Sequence, residues 1–223
     1  MIRIPNYTLK EELINSISHG IGALLSIIAL IFLVLKSNTV NGIISVCLYA
    51  SFMIILYTVS CIYHSLSPRI VGKKVLRVID HSNVLLMVAG TYMPICLSLL
   101  YGLIGWITFS IVWIITIIGI VFTSINVDKY SKLAVICNLV LGWGALILIP
   151  FMIKLIPIKG IIYLVSGGVV YTIGSVLYGL GKRIKYMHSI FHFFVLIGSF
   201  LQFLFIYYYC IWCKVIEINN NIL

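Results

Sequence analysis

Three histidines, one carboxylate and one hydroxyl stand at spacings that could build a metal-dependent hydrolytic site. His188 and His192 are four residues apart in Tyr186-Met187-His188-Ser189-Ile190-Phe191-His192. On a helix their imidazoles share one face, one turn above the other. Ser60 and His64 repeat that spacing in Ser60-Cys61-Ile62-Tyr63-His64, and Asp80 opens another apolar run in Ile79-Asp80-His81-Ser82. Three neutral imidazoles around one cation, with the fourth position open, are the pattern of a catalytic zinc site. An ion held that way brings the pKa of its water to about 7 and so supplies a nucleophile at neutral pH. Asp80 would orient that water or act as general base, and Ser60 would hydrogen-bond the water or a developing oxyanion. Plainer uses exist for each: Asp80 as a helix N-cap, Ser60 bonded to its own helix backbone, the histidine pair bonded to water and neighbouring helices. Imidazole also suits iron, copper and nickel, so residue type alone does not choose the metal.

Such a site needs elements to hold it, and the composition says what they are. Of 223 residues, 62% are hydrophobic and only 9% charged. So few charges cannot cover the surface of a soluble domain of this size, which makes the chain an all-α integral membrane protein in the cell membrane. The net charge of +10 would fit nucleic acid, but the cations sit in loops between apolar runs, as membrane topology requires. No nucleic-acid partner is expected.

Apolar runs predict one domain over residues 1–223: a seven-transmembrane-helix bundle with spans near 17–35, 42–63, 82–100, 104–123, 133–153, 160–180 and 188–212, preceded by a cytoplasmic segment 1–16. Glu11 and Glu12 ahead of the first run argue for a retained span rather than a cleaved leader. With the N-terminus cytoplasmic and the C-terminus outside, only Lys36, Lys154, Lys159 and Lys214 among the 15 Lys and Arg residues fall outside, which is the positive-inside bias. Under that topology Ser60 and His64 end span two at the inner edge, Asp80 begins span three there, and His188 and His192 begin span seven. Each i, i+4 pair differs in height by only about 6 Å, so three helices deliver these groups to one depth.

Glu12, Asn15 and His19 lie at i, i+3 and i+7 on one face of span one, near the same edge. His19 reads as a fourth ligand or, in preference, as a group supporting the ligands. His81 would point about 100° away from Asp80 and reads as a membrane-interface residue. Gly167, Gly174 and Gly181 recur every seven residues in span six; such a stripe lets backbones approach, within the bundle or in a homo-oligomer. Pro94 and Pro150 are expected to bend their helices. The cysteines mostly lie in apolar runs as small hydrophobes; Cys210-Ile211-Trp212-Cys213 alone has metal or redox spacing. Tyr101, Trp106, Tyr207, Tyr208, Tyr209 and Trp212 fit an outer aromatic belt.

Taken together these residues resemble the hemolysin III family, the bacterial branch of the progestin and adipoQ receptor group, which is similar to the alkaline ceramidases among seven-span hydrolases. Three motifs carry the resemblance: E-x2-N-x3-H at Glu12, Asn15 and His19; S-x3-H followed by Asp at Ser60, His64 and Asp80; and H-x3-H at His188 and His192. It implies a zinc ion held by His64, His188 and His192, with Asp80 and Ser60 beside the metal water and a ceramidase-like hydrolysis of a lipid amide or ester. Two other readings stand beside it. One is a membrane-damaging or pore-forming hemolysin, after which the bacterial members are named; the other is a receptor or transporter in which zinc is structural.

Overall fold

The computed structural model describes residue 2 and residues 4–211, and all regular structure among them is helical. Seven helices are long and apolar enough to cross a bilayer: α1 Leu9–Lys36, α2 Val40–Ser65, α3 Gly72–Leu99, α4 Leu103–Ile125, α5 Ser131–Met152, α6 Ile158–Leu180 and α7 Met187–Cys210. The ends placed at Trp212, with Arg3, Cys213 and Lys214, lie outside the described residues.

Two helices start well before the apolar runs that announce them. α1 begins at Leu9 rather than residue 17 because Thr8 nucleates it: the Thr8 hydroxyl accepts from the Glu11 amide at 3.3 Å, and the Glu11 carboxylate accepts from the Thr8 amide at 2.9 Å. Such a capping box is worth about 1 kcal/mol. α3 begins at Gly72 rather than residue 82, and its first turns carry Lys73 and Arg77, both buried. In both helices the polar residues turn inward instead of ending the span. Along α1, Glu11, Glu12, Asn15, Ser18 and His19 are buried, while Leu13, Ile17, Ile21 and Leu24 face outward. Lipid leaves outward methyls at no cost and drives polar groups to partners inside the bundle.

α1 packs between α2 and α7, α2 packs on α3, and α6 packs along α7. The helix bearing Glu12, Asn15 and His19 is thereby wedged between the two that carry the histidine ligand candidates. Each proline adjoins an irregular turn. After Pro94 the end of α3 widens to an i→i+5 pattern over Ile95–Leu99, and just before Pro150 α5 tightens into a 3₁₀ turn over Ala145–Leu148, since proline offers no amide to the ladder.

The glycine stripe of α6 is filled from within the chain. A Cβ at Gly167 would strike Gln202, at Gly174 it would meet Phe194, and at Gly181 it would lie 2.9 Å from the His188 amide nitrogen. These positions let α7 approach closely. At the outer end Tyr101 and Trp106 are exposed, and the Lys36 ammonium sits 3.7 Å from the centre of the Tyr207 ring.

Candidate metal centre

Each histidine reaches the centre from a helix end near the basic side of the bundle. His64 lies in the last turn of α2, His188 and His192 in the first turns of α7, and all three are buried. One ring nitrogen from each falls within 4.8 Å of the other two, the sole tight cluster of metal-ligating side chains among the described residues. His188 Nε2 and His192 Nε2 stand 3.2 Å apart, close to the edge of about 3.3 Å that a tetrahedral ion with nitrogen arms of about 2.05 Å would impose. His64 Nε2 is buried with no hydrogen-bond partner, an orphan that a cation would satisfy. The widest pair lies within 4.8 Å, so a tetrahedral ion would draw it in by up to about 1.5 Å toward that edge. The donor set therefore fits a metal ion of zinc's size and chemistry.

The other nitrogen of His64 is held from α1. Glu12 Oε2 lies 2.6 Å from His64 Nδ1, with the Asn15 amide at 3.4 Å from the same atom. A carboxylate only accepts, so Nδ1 carries the proton and the Nε2 lone pair is left facing the centre. Glu12 in turn accepts from Lys73 Nζ at 2.6 Å, and that ammonium also donates to the Leu66 carbonyl at 2.7 Å. Lys73 has no exposure at all. A buried ammonium survives only with its partners in place.

His19 takes a different position. Its ring stacks on His192 with centroids 3.8 Å apart and meets Tyr57 edge-on. Neither of its nitrogens has a hydrogen-bond partner, and it is not in the three-histidine cluster. Asp80 and Ser60 join His19, His188 and His192 in lining one cavity of about 150 Å³, which continues past Val88, Ile95, Leu164 and Val195 into the apolar middle of the bundle. Asp80 is outside the tight cluster and lies 3.6 Å from His81 Nδ1.

His81 corrects the expectation of an interface residue. Its Nε2 is 3.1 Å from the Tyr178 hydroxyl, and its side chain is 16% exposed. A turn of 100° on an outer helix reaches lipid, but α3 is the most enclosed of the seven spans, so the same turn finds α6 instead.

Several participants carried too little signal in the sequence. Glu11 accepts from the Tyr186 amide at 2.7 Å, tying the start of α1 to the start of α7, where Tyr186 sits at φ 63°. Tyr7 stacks on His188 with centroids 4.9 Å apart and covers the centre from the cytoplasmic side. Burial pushes its phenol far above the ordinary value, so it remains a protonated donor. Lys73 counted only toward topology, although Lys73, Arg77 and Asp80 share one helical face. That periodicity was the available clue.

The chain is similar to known proteins along most of its length. A family model described as haemolysin-III related matches residues 7–203. Hemolysin-3 of Bacillus cereus is 34% identical over 213 residues, covering 94% of this chain and 95% of the relative. A Hemolysin-3 homolog of Bacillus subtilis (strain 168) is 36% identical over 208 residues, covering 92% and 97%.

Proposed function

The chain belongs to the haemolysin-III-related family of multi-pass membrane proteins, and from that premise we propose that it is a zinc-dependent hydrolase of a lipid amide or ester at the inner leaflet. One observation carries the reading: His188 and His192, whose ring nitrogens cluster with one of His64, line an apolar cavity that Asp80 and Ser60 also line. A zinc ion bound there would supply Lewis acidity toward a carbonyl and a lowered pKa for water. The chain's own groups do the rest. Asp80 accepts the proton of the attacking water, and Ser60 donates to the carbonyl oxygen as charge develops on it. Glu12 holds His64 in the tautomer that turns Nε2 inward. The apolar walls take up the acyl chain and keep bulk water from the reacting bond.

The test is turnover of a panel of lipid amides and esters by the purified full-length chain. Asp80→Asn should lower the rate by about 10²- to 10⁴-fold while bound metal stays stoichiometric. No hydrolysis across the panel by metal-loaded protein would end this reading. The names of the two Bacillus relatives favour a second one, membrane damage. Liposome leakage that survives removal of the three histidines would support that alternative. A structural zinc in a receptor or transporter would instead show four protein ligands and no open position.

A further inference from the structure

On the cytoplasmic side of the three histidines lies a second hollow of about 430 Å³. His188, His81 and Tyr178 line both this vestibule and the apolar cavity, so the two chambers meet at the metal centre. Their chemistry is opposite. Arg77, Lys182, Arg183 and Lys185 line the vestibule against only Glu11 and Asp128, and both carboxylates are engaged, Glu11 by the Thr8 and Tyr186 amides and Asp128 by Arg77 at 2.7 Å.

Membrane topology accounts for the three loop cations but not for the built part of the wall. Arg77 is 7% exposed and stands within α3. Tyr63, also in the wall, is 2% exposed, and its hydroxyl is buried with no hydrogen-bond partner. An orphaned phenol donor in a basic hollow leaves a hydrogen bond unmade unless a ligand accepts it. The matching ligand is an anion with several acceptor oxygens, more than the two of a carboxylate.

We propose that the vestibule binds a phosphate group, held by Arg77 and the Tyr63 hydroxyl with Lys182, Arg183 and Lys185 around it. Resting on the hydrolase reading above, the lipid processed at the histidines lays its acyl chain in the apolar cavity and a phosphate-bearing head in the vestibule, with the scissile bond at their junction. Neutral lipid amides and esters are then the poorer ligands.

The experiment uses full-length, metal-loaded protein in maltoside micelles, with lipid binding read by native mass spectrometry. Phosphatidic acid should bind at least about tenfold tighter than diacylglycerol with the same chains, as expected for charge-assisted hydrogen bonds in a partly buried site. The preference should fall below about threefold in Arg77→Gln and in Tyr63→Phe, with metal content unchanged. Millimolar inorganic phosphate that displaces the lipid shows that the free anion is recognised as well; failure to displace it assigns the site to the lipid head. Equal binding of the two lipids by the wild type, or a preference that survives both substitutions, overturns the proposal. If Arg77→Gln does not fold because Asp128 loses its partner, Tyr63→Phe, which deletes a single oxygen, decides the matter. Binding is read without turnover, so a protein with the preference but no hydrolysis keeps this site and loses the hydrolase reading.

Discussion

Replacing Glu12 by Gln separates the two jobs its carboxylate does. One oxygen stands 2.6 Å from His64 Nδ1 and the other 2.6 Å from Lys73 Nζ, with Lys73 wholly buried and Glu12 at 11% side-chain exposure. Gln keeps the shape but supplies one neutral acceptor for two donors, so the ammonium loses its counter-charge and His64 its fixed tautomer. Breaking a buried pair on one side costs about 3–5 kcal/mol, and losing a carboxylate behind a histidine ligand costs about 10- to 100-fold in metal affinity. Lys73→Met alone should lower stability by about 3 kcal/mol but leave affinity within threefold of wild type. The double variant Glu12→Gln with Lys73→Met should regain most of the stability, since neither charge is stranded, yet bind metal as weakly as Glu12→Gln alone. Chelator competition gives the affinity and thermal unfolding of metal-free protein gives the stability. Wild-type affinity in Glu12→Gln, or affinity restored in the double variant, refutes the role of Glu12 in orienting His64.

Gly181→Ala puts a methyl 2.9 Å from the His188 backbone nitrogen, so it should cost about 1–3 kcal/mol and weaken metal binding. Gly179→Ala meets nothing within 4 Å and should instead stabilise by up to about 1 kcal/mol through helix propensity; paired unfolding curves check both. Tyr186 occupies the left-handed region at φ 63°, and Tyr186→Asn should relieve about 1 kcal/mol of backbone strain, visible as a higher unfolding midpoint.

The seven spans were legible because lipid demands long apolar runs, and the meeting of Ser60, His64, Asp80, His188 and His192 at one end was legible because i, i+4 spacing fixes a helix face. Helix starts were not, where polarity belongs to the interior: Glu11 and Glu12 look like the end of a span until their partners are known. Those partners are distant in sequence. Lys73 lies 61 residues from Glu12, and Tyr186 lies 175 from Glu11, and no local pattern connects them. His81 was misplaced for a related reason, since its angle on α3 was legible but the helix facing it was not. Tyr7 precedes the first helix, where periodicity says nothing about which way a side chain folds back.

X-ray absorption at the metal edge of the purified, zinc-loaded chain tests the three-histidine centre most directly. The spectrum should show three imidazole nitrogens at about 2.0–2.1 Å with one further light-atom ligand, and His192→Ala should lose the bound metal. A centre with sulfur, a fourth imidazole, or metal retained undiminished in His192→Ala would contradict it.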